Sequence, residues 1–499
     1  MQITDFSTPM RQSQKGIIVI FGVQLYKVIK NTFIPLIVVG ISSFRRNSFN
    51  LKLLTYITIG IILLLLTLLA ITILKYLNFK FHVSEQNFYL NSGIINKENT
   101  IIPKTKIQNV SIRQNVIQQI INVVSVNIET AGDDKSEIEI NALDKSTALA
   151  LKEELLVSEI KRDEIIDDFT ITEPNVYFKA TVKRLFLEGI TQNHLRSFGI
   201  MAAFLIGIYT QIRDVVKELN IAEDYSDYMA YEETTILTIL FTNIIIVIVV
   251  VFISVLFSMI RTFITNYDLK VLEKRNTIEI NKGLLQKISL ALVPSRIQNI
   301  IISTNRLKRY FGLNSLYIKQ AMMTKKQQNQ LSIVALGREQ IQYLTKKLIA
   351  NLSFDIHRFK PSYYYIRIMA LRASIILILI NIVCILFFKT SGLLCNVIVV
   401  PFIVLFIRTT YRKSYYYLDN NHLFLGSGFI DTITDILENH KIQVVKVKQS
   451  FFQKRHEVAS LIISTASKSI TIPYIKEDEA FNIHDFLVYK VESENRNWM

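Results

Sequence analysis

One phrase is written three times in this chain: KIQNV at Lys106–Val110, RIQNI at Arg296–Ile300 and KIQVV at Lys441–Val445. Chance would leave their surroundings unrelated. Instead, each Ile starts a stretch that aligns to a shared Ala without a gap. The three stretches are IQNVSIRQNVIQQIINVVSVNIETA to Ala131, IQNIIISTNRLKRYFGLNSLYIKQA to Ala321 and IQVVKVKQSFFQKRHEVASLIISTA to Ala466. Upstream, Gly93, Gly283 and Gly428 keep the same register. Such self-similarity constrains the fold more than any composition does, because each repeat is one supersecondary unit.

Within each copy the pattern is that of an antiparallel β module. Val124, Val126 and Ile128 alternate with Ser125, Asn127 and Glu129, which is a strand with one buried face. The shared glycines follow the alternating stretches NFYLNSG, TIEINKG and HLFLGSG, where a hairpin turn needs a positive φ. A further strand comes after each shared Ala (SEIEINAL, NQLSIVAL, SITIPYI), then a helical pattern (TALALKEELL, EQIQYLTKKLI, EDEAFNIHDFLVY). At roughly 80 residues each, the copies are large enough for modest cores of their own.

Between the modules lies apolar sequence. Leu53–Leu74 and Thr235–Ile260 carry no charge and are long enough to cross the hydrocarbon layer as helices. Ser197–Ile212, Ala373–Phe388 and Thr390–Ile407 are shorter, uncharged and flanked by Lys or Arg, with a tight turn expected at Thr390-Ser391-Gly392. At the N-terminal end, Gly16–Lys30 reads as an amphipathic surface helix and Asn31–Phe44 as a crossing segment. Tyr177–Ile190 and Phe359–Leu371 occupy the same place before the third and fifth spans. The count is six spans in three hairpins, each followed by a module.

That parity puts all three modules on one side of the membrane. Lys75, Lys80, Lys183, Arg184, Arg196, Arg261, Arg408 and Arg412 crowd the span ends there, whereas the loop from Arg213 to Glu233 is acidic. The positive-inside bias assigns the modules to the cytoplasm, with Arg45, Arg46 and Lys52 in the first hairpin as the dissenting loop. Alternating spans and solvated modules also explain how 50% hydrophobic and 20% charged residues coexist.

Several chemistries find no pattern to carry them. Cys384 and Cys395 are the two cysteines and both fall in the last hairpin, so neither a disulfide framework nor a zinc site is expected in the modules. His456-Glu457 opens like a metalloprotease helix, but Ser460 stands where the second His belongs. Gly426-Ser427-Gly428 lacks the third glycine of a dinucleotide turn, and Gly428 aligns with the hairpin glycines. The net charge of +16 gathers at span ends without an aromatic-basic motif, which speaks against nucleic acid. No catalytic, metal or cofactor residue is assigned.

Ser92, Gly93, Ile102, Pro103, Ile107, Gln108, Asn109, Val110, Gln114, Thr130, Ala131 and Gly132 form a pattern that resembles the bacterial pleckstrin-homology-like (PH-like) domain. That domain is found in membrane proteins of the YdbS and YdbT type, and the three-copy arrangement is similar to the YdbT one. Copy two keeps Gly283, Arg296, Ile297, Gln298 and Asn299, while copy three has Val444 in place of the Asn. The resemblance implies a small β barrel or sandwich capped by a C-terminal helix. It implies little about activity, since one such fold hosts many binding roles.

The expected architecture is therefore a multi-domain integral membrane protein. It has α-helical transmembrane hairpins at 16–78, 177–262 and 359–409, each including its surface helix. Three small PH-like antiparallel β barrels, each with a C-terminal helix, follow at 79–157, 263–350 and 410–490. Two readings of the shared residues stay open. In one, Ile107, Ile297 and Ile442 are core and the Gln-Asn pair satisfies backbone at a strand end. In the other, Lys104, Lys106 and Arg113, with Arg296 and Lys441, contact an anionic head group or a partner. Near an anionic bilayer each such base is worth about 1 kcal/mol.

Two functions remain in play. One is a non-enzymatic scaffold or adaptor in a bacterial cell membrane, whose cytoplasmic modules bind protein partners, copies of the same chain, or anionic lipids. The other is a transport or export component with the six helices as its core, where Asn243 and Asn381 are the intramembrane polar residues to weigh.

Overall fold

The computed structural model describes residues 5–45, 51–130, 137–156, 175–218, 236–273, 277–321, 328, 330–349, 352–354 and 356–493. Residues 131–135, the acidic stretch 219–233 and the side chains of Gln108 and Asn243 lie outside the described residues. Two compact units are formed, one of residues 1–175, 272–274 and 278–291, the other of residues 176–271, 275–277 and 292–499.

Strand β1 (Met10–Arg11) precedes the first helical hairpin, α1 (Gly16–Arg45) and α2 (Leu51–Asn78). The first module follows as β2 (Lys80–Val83), β3 (Asn87–Ser92), β4 (Glu98–Pro103), β5 (Ile107–Gln114), α3 (Val116–Ile120), β6 (Val123–Thr130), β7 (Glu137–Asp144) and α4 (Lys145–Leu156). The chain folds β2-β3-β4 and β5-β6-β7 as two antiparallel meanders, with β1 added outside β2. Alternation decides which side chains meet. Phe81, Phe88 and Leu90 from the first sheet pack with Val110, Val126 and Ile128 from the second, and Leu151 and Leu155 of α4 close the core. The module is thus a two-sheet sandwich with a helical lid.

Strand β8 (Asn175–Lys179) and the short helix α5 (Val182–Thr191) lead to α6 (Leu195–Glu218) and α7 (Ile236–Asn266). The second module runs through β9 (Lys270–Glu273), β10 (Ile278–Lys282), β11 (Lys287–Leu292), β12 (Ile297–Thr304), α8 (Arg306–Tyr310), β13 (Asn314–Gln320), β14 (Ser332–Leu336) and α9 (Arg338–Leu348). Strands β10 and β11 belong to the first unit, and β12 to β14 belong to the second. The last hairpin, α10 (Tyr364–Phe388) and α11 (Asn396–Lys413), precedes the third module. That module comprises β15 (Tyr415–Leu418), β16 (His422–Ser427), β17 (Thr432–Glu438), β18 (Ile442–Lys448), α12 (Phe451–Arg455), β19 (Val458–Thr465), β20 (Ser469–Lys476) and α13 (Glu477–Ser493). Its core repeats the first one, with Leu423, Leu437, Leu461, Ile463 and Ile472 under Ala480, Ile483 and Leu487 of α13.

The landmarks shared by the copies have structural causes. Gly93, Gly283 and Gly428 sit at φ of +100°, +110° and +114°. A Cβ there would lie 1.9, 2.0 and 2.2 Å from the carbonyl oxygen three residues on, so glycine is required. Ile107, Ile297 and Ile442 are each 2% exposed, in accord with the core reading. Asn115, Asn305 and Ser450 accept the backbone N–H of the third residue following and so cap α3, α8 and α12.

Neighbouring modules share sheets. In the first unit, β11 pairs antiparallel with β5, Lys287 opposite Gln114, Ile288 opposite Arg113 and Ser289 opposite Ile112. In the second, β17 pairs antiparallel with β12, Thr432 opposite Thr304, Ile433 opposite Ser303 and Thr434 opposite Ile302. Counted from each copy's Gly and Ile, the two registers are identical. The sequence alone leads to three separate small barrels; here the strands run on from one copy into the next.

Among the described residues four helices are long and apolar enough to cross a bilayer: Thr58–Asn78, Ile244–Asn266, Tyr364–Leu386 and Gly392–Lys413. The apolar part of α6, Ser197–Ile208, is shorter. Helix α1 runs unbroken from Gly16 through Arg45, with no boundary at Lys30 between a surface helix and a crossing segment. Its first turns are held on the module instead, where Val19 packs with Val123 and Ala142. The turn expected at Thr390-Ser391-Gly392 is a longer 3-10 segment, Lys389–Cys395. Gly392 brings its backbone against Cys384, where a Cβ would lie 2.5 Å from the carbonyl oxygen.

Candidate functional site

The basic turn that opens the fourth strand of each copy is the place where the sequence puts charge beside a repeated motif. In the first module, Lys104 and Lys106 share the 3-10 turn Lys104–Lys106. Lys104 is buried and donates to Glu154 Oε1 on α4 at 2.8 Å. Lys106, two residues on, is exposed. Arg113 lies at the far end of β5, half-buried at the joint opposite Ile288. The first module therefore divides its three candidate bases between a lid contact, an open surface and a sheet joint.

In the second unit, Arg296 is half-buried at the end of its own 3-10 turn, Pro294–Arg296. Lys441 is buried, pairs with Glu438 and donates to the carbonyl oxygen of Ile297 at 2.7 Å. It thus ties the third module to the fourth strand of the second. Of the five candidate residues, Lys106 is the one whose charge faces solvent.

Buried polar networks that periodicity does not reveal reinforce both joints. At the first, Lys152 of α4 reaches across to Glu279 Oε1 at 3.4 Å and Ser289 Oγ at 3.2 Å. At the second, Asp435 Oδ1 accepts from Asn299 Nδ2 at 3.1 Å and from Lys468 Nζ at 2.8 Å. The first network matches the buried Glu279 with a lysine of the adjoining copy. At the second the adjoining copy supplies the Asn299 amide, and the lysine comes from the third module itself. In both a buried carboxylate is paired, which offsets much of the penalty of burying it. Glu279 alternates with Ile278 and Ile280 and so reads as solvent-facing in the sequence, because the neighbouring copy that covers it is not visible there.

The surface helix α5 is docked in the same way. Lys308 Nζ donates to Glu188 Oε1 at 2.5 Å and to Ser315 Oγ at 2.7 Å, all three side chains buried. Gly189 allows close approach to α7, where a Cβ would lie 2.9 Å from Met259 Cα. Gln192 Nε2 donates to Thr262 Oγ1 at 2.8 Å. At the third hairpin, Lys413 Nζ donates to the carbonyls of Phe429, Ile430 and Asp431 at 2.5, 2.7 and 3.1 Å. Phe402 and Phe406 pack their rings against Phe429. The module is thereby fixed to the end of its span.

The family model described as "Bacterial PH domain" matches residues 33–158, 227–352 and 368–491, one match per hairpin-and-module repeat. The chain belongs to the bacterial PH domain family. A UPF0699 transmembrane protein, YdbT of Bacillus subtilis (strain 168), is 22% identical over 503 residues, covering 97% of this chain and 99% of its own. The likeness supports a three-copy, YdbT-like bacterial PH-domain protein carried by transmembrane helices. The beta subunit from DNA polymerase of Streptococcus pyogenes aligns over 80% of this chain and 73% of its own at 6% identity, with a TM-score of 0.07, which is no likeness of fold.

Proposed function

We propose that this bacterial PH-domain protein is a membrane-anchored scaffold of the bacterial cytoplasmic membrane, without enzymatic activity. Helices α1 and α6 complete six spans, and the modules face the cytoplasm. The observation that carries this reading is the pair of sheet joints in identical register. At each joint strands of two copies form one sheet, so a partner would meet a continuous sheet there rather than two separate modules.

Partners on this reading are proteins or anionic lipid head groups, and Lys106 is the candidate base best placed to attract the latter. The six helices as a transport core find no comparable support, since Asn381 and Asn396 satisfy each other within one hairpin.

Capture from mild detergent, with mass spectrometry of proteins and lipids, is the test of the scaffold. A reproducible partner is expected. Substrate-dependent flux in liposomes, with no partner retained, would overturn it. Orientation is checked on a Cys384→Ser, Cys395→Ser background: Asp227→Cys is expected to label from outside intact cells and Lys468→Cys is not.

A further inference from the structure

The joint between copies uses two edges, one at each end of a module, and a chain of three copies leaves one of each unused. Copy one gives β5 to copy two's β11, and copy two gives β12 to copy three's β17. By the same rule copy three offers β18, the counterpart of β5 and β12, and copy one offers β4, the counterpart of β11 and β17. Among the described residues β18 ends its sheet, in the order β18-β19-β20, and β4 ends its own, in the order β1-β2-β3-β4.

We propose that these two edges pair between copies of this chain, β18 of one molecule against β4 of the next. The surfaces carry the mark of an unfilled joint. Ile101 on β4 is 58% exposed, whereas its counterparts Ala291 and Ile436 are 6% and 0% exposed. Val444 on β18 is 41% exposed, whereas its counterparts Asn109 and Asn299 are 4% and 0% exposed. The positions that the other copies bury are here open and apolar.

The register of the internal joints, carried over, fixes the new one. It sets Lys448 opposite Glu98, Lys446 opposite Thr100, Val445 opposite Ile101 and Val444 opposite Ile102. The Lys448–Glu98 pairing is complementary in charge, worth a few tenths to about 1 kcal/mol directly across a strand pair. Lys446 and Lys448 also disfavour β18 pairing with another β18, since edge lysines repel a like edge. The contact is therefore head-to-tail, with different surfaces on the two molecules, and propagates until a ring closes or a partner caps it. This rests on the sheet joints that also support the scaffold reading, but needs no partner other than the chain itself.

The test uses the full chain in membranes on the Cys384→Ser, Cys395→Ser background, in two differently tagged populations. Glu98→Cys in one and Lys448→Cys in the other should form a disulfide between tags under mild oxidation. Two populations of Glu98→Cys, or two of Lys448→Cys, should not. A charge swap supplies the second arm, read as the yield of a Thr100→Cys to Lys446→Cys crosslink. Glu98→Lys in the Thr100→Cys population should lower that yield about fivefold, and Lys448→Glu in the Lys446→Cys population should restore it. Both sites are on exposed edges, so the fold is kept. Crosslinks only between like positions, or none between copies in membranes, would overturn the proposal. A crosslink formed solely within single molecules carrying both cysteines would do so too. Loss of the crosslink on Glu98→Lys without recovery on Lys448→Glu would overturn the register.

Discussion

Glu188 and Lys308 form a buried ion pair, Oε1 to Nζ at 2.5 Å, with side chains 3% and 5% exposed. Glu188 stands on the helix that precedes a membrane hairpin and Lys308 on the short helix of the second module. Their pairing fixes the helix α5 to the short helix α8. Glu188→Ala leaves a lysine buried without its counter-charge, a loss of about 3–5 kcal/mol for a buried pair broken on one side. The double change Glu188→Leu with Lys308→Met removes both charges and should regain most of that. The midpoint of thermal unfolding in detergent, with tryptic cleavage in 306–315 as a local readout, checks both outcomes.

Asn381 and Asn396 exchange amide hydrogen bonds, Asn381 Nδ2 to Asn396 Oδ1 at 3.1 Å and Asn396 Nδ2 to Asn381 Oδ1 at 2.7 Å. They join α10 to the start of α11 with no demand on a substrate path. Asn381→Leu should cost about 0.6–2 kcal/mol of hairpin stability. Adding Asn396→Leu should cost less than the sum of the two single changes, because it removes the amide left unpaired. Partner capture should be unchanged by either. Loss of partner capture in a hairpin that still inserts and folds would count against a purely structural pair.

Much of this was legible in the sequence because a repeat reports three times on the same geometry. The hairpin glycines, the core Ile of each basic-Ile-Gln phrase and the terminal helices follow from patterns that one copy shows weakly and three show together. The association of copies was not legible. Alternation in β5 and β12 tells which face is inward but not which edge is occupied, since edge pairing is made by backbone groups. Lys104 and Lys441 read as open charges for another reason: the carboxylates that meet them, Glu154 and Glu438, lie in their own modules and are matched to them only by the fold. The N-terminal boundary at Lys30 failed for a different cause. Lysines are good helix formers, so Lys27 and Lys30 mark where polarity changes without ending α1.

Gly283 offers a direct check on the shared turn. At φ +110° a Cβ would lie 2.0 Å from the carbonyl oxygen of Gln286, so Gly283→Ala must distort the turn that sets the register of β10 on β11. A loss of about 1–3 kcal/mol is expected. Gly207→Ala, in α6 with nothing within 4 Å of the added carbon, should be neutral or slightly stabilising. Equal thermal shifts for the two variants would contradict the account of the repeated glycine.

Lys282, the residue before that glycine, is pushed down to about 7 by burial. Its ordinary value in the unfolded chain is about 10.4. Between those two values the unfolded chain holds a proton that the folded chain does not. Stability therefore rises with pH across that window, by about 1.4 kcal/mol per unit, and levels off above about 10 and below about 7. Replacing the side chain by Lys282→Met removes the titration and should remove the slope. The measurement is the difference in thermal midpoint between wild type and variant at pH 8 and at pH 9, in the same detergent. The variant should be ahead at pH 8, by a margin that shrinks at pH 9. A margin independent of pH would mean that Lys282 stays protonated in the folded protein across this range.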